Sequence, residues 1–222
     1  MSKTSSLVAS CLLTASMLGA SSAFAYGDKT FMYKVTITNL TPGQPLAPVM
    51  VATHRPGVEF FEDGGAPSDE LARLAEAGDG QPMADKLAAL PTVDEAKVST
   101  MGLTFPGQST TVMISSKRTY THISVGAMLG ATNDAFFAIK DVPVPWFGRK
   151  LTYMAPAYDA GSETNDELSS TVAGLGGEGY SPTDDGEGFV HIHNGVHGIG
   201  NLVPAIHGWL NPTAKITIER VQ

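Results

Sequence analysis

The stretch TFMYKVTITNL, at positions 30–40, alternates without a break. Phe31, Tyr33, Val35 and Ile37 fall on one side, and Lys34, Thr36 and Thr38 on the other. Successive side chains of an extended chain point to opposite faces, so this pattern is a half-buried β-strand. Further short apolar runs follow: VMVATH (49–54), TTVMISS (110–116), YTHISVGAML (120–129), AFFAIK (135–140), KLTYMA (150–155), GFVHIHNG (188–195) and AKITIER (214–220). Turn chemistry separates them, as in TPGQPLAP, FPGQ and VPVPWFG. With 24 glycines, 14 prolines and only 16% charged residues, the chain suits many short elements joined by turns. The expected fold is all-β, an antiparallel β-sandwich.

One segment breaks the pattern. PSDELARLAEAGDG begins with Ser68 as a cap, places acids in the first turn, and spaces Leu71, Leu74 and Ala75 for a helix. Gly78 is its stop. PMADKLAALP, with Pro82 near its start and Pro91 at its end, is a second helical piece. The expectation is a small helical insert over about 68–90, covering a sheet edge or one end of the sandwich. Nothing splits residues 26–222 into two domains.

The first 25 residues read as a secretory signal peptide. Lys3 supplies the positive start, an apolar run extends from about Leu7 to Ala20, and Ala23-Phe24-Ala25 forms a small-x-small cleavage pattern. The run is short for a membrane span, which needs about 20 apolar residues, and the rest of the chain has no other candidate. The expected location is secreted or periplasmic. Cys11, the one cysteine, lies within this leader. The apolar run continues past it, so VASC is not read as a lipoprotein box. Once the leader is lost, disulfides, cysteine catalysis and thiolate metal sites are all excluded. The net charge is −8. An acidic chain repels phosphate backbones, so nucleic acid is not an expected partner.

YDAGSETNDEL, at 158–168, concentrates Asp159, Glu163, Asp166 and Glu167 around Gly161. A hard divalent cation takes six to eight oxygen ligands, and a tight acidic loop can supply several. The D-x-D-x-D-G pattern of an EF-hand is missing. By spacing alone the loop is either a solvated turn or an ion-binding loop. Asn133-Asp134, in GATNDAFFAIKDV, reads by itself as a turn leading into a strand.

Four blocks together carry a resemblance. They are VTITNLTPGQPLAPVMVATHRPGVEFFEDGGAPSDELARLAEAGD, TNDAFFAIKDV, AYDAGSETNDE and NLVPAIHGWLNPTAKITIERV. In order and spacing they resemble the bacterial relatives of the spondin amino-terminal domain, over nearly all of 31–221. The resemblance implies a β-sandwich in an extracellular protein with a Ca²⁺ site. That site would use an Asp just before a strand and two acids of a DAGTD-like turn, which map to Asp134, Asp159 and Glu163. The third acid here is Glu, whose longer arm can still ligate.

Histidines form a second constellation. In HIHNGVH, a strand would place His191 and His193 on one face, with His197 beyond. Such rings either hold Zn²⁺ or copper or stand in water at a Gly-rich end. His54 and His122 sit in apolar strands, where a histidine is ordinarily half-buried. The stretch around His54 also resembles copper-binding surface proteins of methane-oxidising bacteria. That likeness implies Cu⁺ held by His54 and His122. The tryptophan ligand of those proteins corresponds here to Ala52 and is absent.

Enzymatic signatures are missing: there is no G-x-S-x-G elbow, no H-E-x-x-H and no phosphate-cradling Gly-rich loop. Asp184, Asp185 and Glu187 read as loop, and Trp146 and Trp209 as packing residues. The expected function is a calcium-binding, spondin-like module in adhesion at the cell surface, partnered by an extracellular protein or matrix component. The alternatives are copper handling through His54 and His122 or, more weakly supported, a hydrolase using the acidic loops.

Overall fold

A computed structural model describes residues 29–146, 148–183 and 186–222. The segment read as a signal peptide, with Cys11, and the pair Asp184 and Asp185 lie outside the described residues. The alternating stretch forms β1 (Thr30–Asn39). It is followed by β2 (Met50–His54), helices α1 (Asp69–Glu76) and α2 (Gln81–Ala88), β3 (Val93–Val98), β4 (Ser109–Lys117), β5 (His122–Met128) and β6 (Ala135–Pro143). Then come β7 (Lys150–Ala155), β8 (Ala157–Asp159), a 3-10 turn (Ala173–Leu175), β9 (His191–Ile192), α3 (Pro204–His207) and β10 (Ala214–Arg220).

The strands make two antiparallel sheets. One has the order β4-β1-β10-β7 and the other β3-β2-β5-β6-β8-β9. β1 is central, pairing Val35 with Ile218 on one side and with Val112 on the other. Its alternation is realised: Tyr33, Val35 and Ile37 are buried, while Lys34 is exposed. They meet Val51, Ile123, Val125 and Phe137 of the second sheet in a core between the sheets. The all-β sandwich is therefore as expected.

The helical insert covers the outer face of the six-stranded sheet, and α2 lies against the edge strand β3 as expected. Leu71, Leu74, Ala75, Met83 and Leu87 pack on Met50, Ala52, Phe136 and Ala138 in a second core. The cause is visible in the strands themselves. VMVATH and AFFAIK are apolar on both faces, and such strands need cover on both sides. All five residues of β2 are buried. Neighbouring Phe136 and Phe137 point in opposite directions, one into each core. Phe60 and Phe61 reinforce the outer core, with Phe61 edge-on to Phe136 at 5.1 Å between centroids. Gly126 makes room for Phe60, since a Cβ there would stand 2.9 Å from the ring.

Local signals place the helices well. Ser68 Oγ accepts from Leu71 N, and Gly78 adopts a φ of 67° beyond the end of α1. Lys86 of α2 donates to Glu70 of α1 at 2.6 Å, which holds the Glu70 carboxyl down at about 2.

Two strands escape the sequence pattern. β3 (VDEAKV) is an edge strand of mixed polarity, and β8 has only three residues. Conversely, the strand expected over 188–195 pairs only at His191–Ile192, because its partner is that short β8. Trp209 packs against the inter-sheet core as expected. Trp146 does not pack and is 82% exposed.

Replacing Phe136 with Ala is expected to lower unfolding stability by about 3–5 kcal/mol, measured by denaturant titration. Glu70→Gln is expected to lower stability at pH 7 by less than about 1 kcal/mol. Because the folded pKa of Glu70 is depressed, its contribution is present above pH 4.5 and disappears as pH falls through about 2. Acid titrations of the two proteins should therefore converge over that window.

Candidate functional site

The turn that leads into β6 is closed by Thr132. Its hydroxyl donates to Leu129 O and accepts from Ala135 N. This geometry aims the next two side chains inward, and Asn133 and Asp134 are 1% and 0% exposed. β8 pairs Asp159 with Ala135, one residue from Asp134. Beyond β8 the chain turns at Gly161, with φ 66°. A Cβ at Gly161 would stand 2.3 Å from Phe189 O, so only glycine fits. The turn carries Glu163 back toward Asp134.

Asp134, Asp159 and Glu163 therefore share one hydrogen-bonded region, all buried. Asp134 Oδ2 accepts from Ser162 N at 2.9 Å and Glu163 N at 3.2 Å. Its Oδ1 is buried with no hydrogen-bond partner. Asp159 Oδ1 accepts from Gly161 N at 2.8 Å, and its Oδ2 from Asn165 Nδ2 at 2.9 Å. Glu163 Oε1 accepts from Asn133 Nδ2 at 3.0 Å. Among the described residues, neither Asp134 nor Asp159 pairs with a Lys or Arg. Burial, and next the charge of Asp159, raise the Asp134 pKa well above the usual carboxylate range. The Ser162 and Glu163 N–H groups oppose that rise, and Glu187 adds to it.

The histidines supply little compensation. His193 Nε2 lies 3.6 Å from Asp159 Oδ2 and His191 Nε2 lies 3.9 Å away. The His193 side chain is only 6% exposed, and its Nδ1 accepts from Gly195 N at 2.8 Å. Burial, then the neighbouring His191 and His197, push its pKa down to about 4. At neutral pH the ring is uncharged. The picture of rings standing in water fails for His193 and holds for His197, which is 58% exposed.

Two site residues were not singled out as functional by sequence reasoning. Asn133 is a hub: Nδ2 donates to Glu163, Asp166 and Thr171, and Oδ1 accepts from Glu167 N. Glu167, at φ 58°, accepts from the N–H groups of His197, Gly198 and Ile199. It thereby fastens the 195–202 loop to the acidic loop. Spacing alone cannot tell which of four nearby acids turns inward.

His54 and His122 are register partners across β2 and β5. His54 is fully buried, and both its ring nitrogens are engaged, Nδ1 with Arg55 O and Nε2 with Ser124 Oγ, each at 2.8 Å. A metal at His54 would have to displace one of these bonds. His122 Nδ1 contacts Thr121 Oγ1 at 3.0 Å.

Among the described residues, no group of three or more His, Cys, Asp or Glu side chains is placed so that it could hold a metal ion. The three acids are buried, and Asp134 Oδ1 has no hydrogen-bond partner among the described residues. No protein-family model matches the chain, and no curated protein matches it.

Asn133→Ala is expected to cost at least about 2 kcal/mol, since it strips donors from buried acids. Limited proteolysis should then cut within 160–171 faster than in the parent protein.

Proposed function

We propose that the protein is an exported, spondin-like module that binds Ca²⁺ through Asp134, Asp159 and Glu163. It works in adhesion at the cell surface or in the periplasm, with an extracellular protein or matrix component as partner, and catalyses no reaction. The observation that supports this reading best is the buried Oδ1 of Asp134, without a hydrogen-bond partner and beside a second buried carboxylate. Two buried acids with no Lys or Arg partner are costly unless a cation or a proton joins them. Calcium suits this donor set because it takes oxygen ligands in flexible geometry and completes its shell with backbone oxygens and water. The resemblance of the four sequence blocks to the spondin family points to the same three residues.

The module's own residues do three things. The Gly161 turn brings Glu163 to Asp134. Asn133 and Asn165 orient the carboxylates. Glu167 braces the adjoining loop. A bound cation would neutralise the cluster and order the loops around it, giving one end of the sandwich a defined surface.

Copper handling has one observation in its favour, the register pairing of His54 with His122. Set against it are the two hydrogen bonds that already occupy His54.

Calorimetry and thermal melting with and without chelator test the calcium reading. One ion per chain is expected, and Ca²⁺ at about 100 times its dissociation constant should add about 2.7 kcal/mol of stability. Asp134→Asn should abolish that gain while raising the stability of the chelated protein, because it removes the like-charge repulsion. An unchanged calcium response in Asp134→Asn would overturn the assignment.

A further inference from the structure

The opposite end of the sandwich holds a cavity of about 350 Å³. It gathers the start of β1, the segment between β4 and β5, and the segment after β6. β6 begins at the carboxylate cluster and ends at this cavity, so the two lie roughly 30 Å apart at about 3.3 Å per residue.

Its walls are chemically uniform in two respects. Four aromatic rings line it: Phe31, Tyr33, Tyr120 and Trp146. Arg118 and Arg220 supply its positive charge, His122 adds an imidazole ring, and among the described residues no Asp, Glu, Asn or Gln lines it. In a chain with 22 acids against 14 lysines and arginines, a wall with two arginines and no acid departs from the overall balance.

The two arginines differ in how they are held. Arg220 lies with Cζ 3.5 Å from the Phe31 ring centroid and donates from Nε to Gln222 O. Arg118 is exposed, and among the described residues its guanidinium makes no hydrogen bond or ion pair. An arginine fork with five donors and no acceptor suits a carboxylate, which it can grip through two parallel bonds. Trp146, 82% exposed at the rim, offers a ring face. Apolar pockets with a few placed polar groups are the usual form of small-molecule sites, and about 300 Å³ is their lower bound.

We propose that this cavity binds a small aromatic carboxylate, its ring among Tyr33, Tyr120 and Trp146 and its carboxylate on Arg118. A polyhydroxylated acid such as a uronic acid fits less well. Its several hydroxyls each call for a hydrogen-bond partner, and these walls are mainly aromatic and apolar. The site is independent of the carboxylate cluster and of the calcium reading.

The test uses naphthalene-2-carboxylate as probe, followed by calorimetry and by the indole N–H resonances of the two tryptophans. Naphthalene-2-carboxamide and glucuronate serve as controls. Binding of one naphthalene-2-carboxylate per chain is expected, at least tenfold tighter than either control, with the Trp146 signal shifted. Arg118→Gln should erase the preference for the acid over the amide. Trp146→Ala should weaken both ring-bearing probes at least tenfold. Both positions are exposed, so both variants should melt as the parent does. The proposal is overturned if naphthalene-2-carboxylate does not bind, if the amide or glucuronate binds equally well, or if neither substitution changes its affinity.

Discussion

Two carboxylates that cannot both be charged at low cost govern this molecule. Asp134 is fully buried and Asp159 nearly so, and each carries N–H donors on part of its surface. Those donors do not suffice. The Asp134 pKa remains raised, because desolvation and the second charge outweigh the bonds from Ser162 and Glu163. The neighbouring His193 is held neutral at physiological pH by its own burial, so it does not restore balance. A fold that keeps such a pair either tolerates a lasting cost or uses it to attract a cation.

The rest of the architecture makes that arrangement possible. Strain of this kind persists only where the surroundings are over-determined. β6 is packed on both faces, with Phe137 in the inter-sheet core and Phe136 under the helices. The start of β6 is thereby fixed, and with it Asp134. Asp159 is fixed in turn by three rungs of pairing between β6 and β8. The loop carrying Glu163 has little regular structure and is held instead by Asn133, Gly161 and Glu167. The rigid half of the site thus comes from the sheet and the adaptable half from the loop, a division that suits an ion with flexible coordination.

Much of the fold was legible because it rests on periodicity. The β1 alternation and the helical spacing of Leu71, Leu74 and Ala75 translate directly into burial. The position of the helices over the outer face was implicit in the two-sided apolarity of VMVATH and AFFAIK. It was missed because an insert between strands says nothing about which face it covers. β3 was illegible, since an edge strand with Asp94, Glu95 and Lys97 has no clean period. The three acids came from a resemblance combined with spacing, and the structure buries all three in one hydrogen-bonded region. Asn133 and Glu167 were not separable from their surroundings, because a buried polar hub looks like any turn residue until its partners are known. Trp146 was misjudged for a related reason: residue type predicts burial on average, and an exposed ring at a cavity rim departs from that average.

The central claim concerns what occupies the space at Asp134 Oδ1. A high-resolution crystal structure of the protein grown in calcium tests it most directly. The account predicts an ion about 2.3–2.6 Å from oxygens of Asp134, Asp159 and Glu163. A water at that position, or a carboxylate turned away from its neighbours with no ion between them, would contradict it.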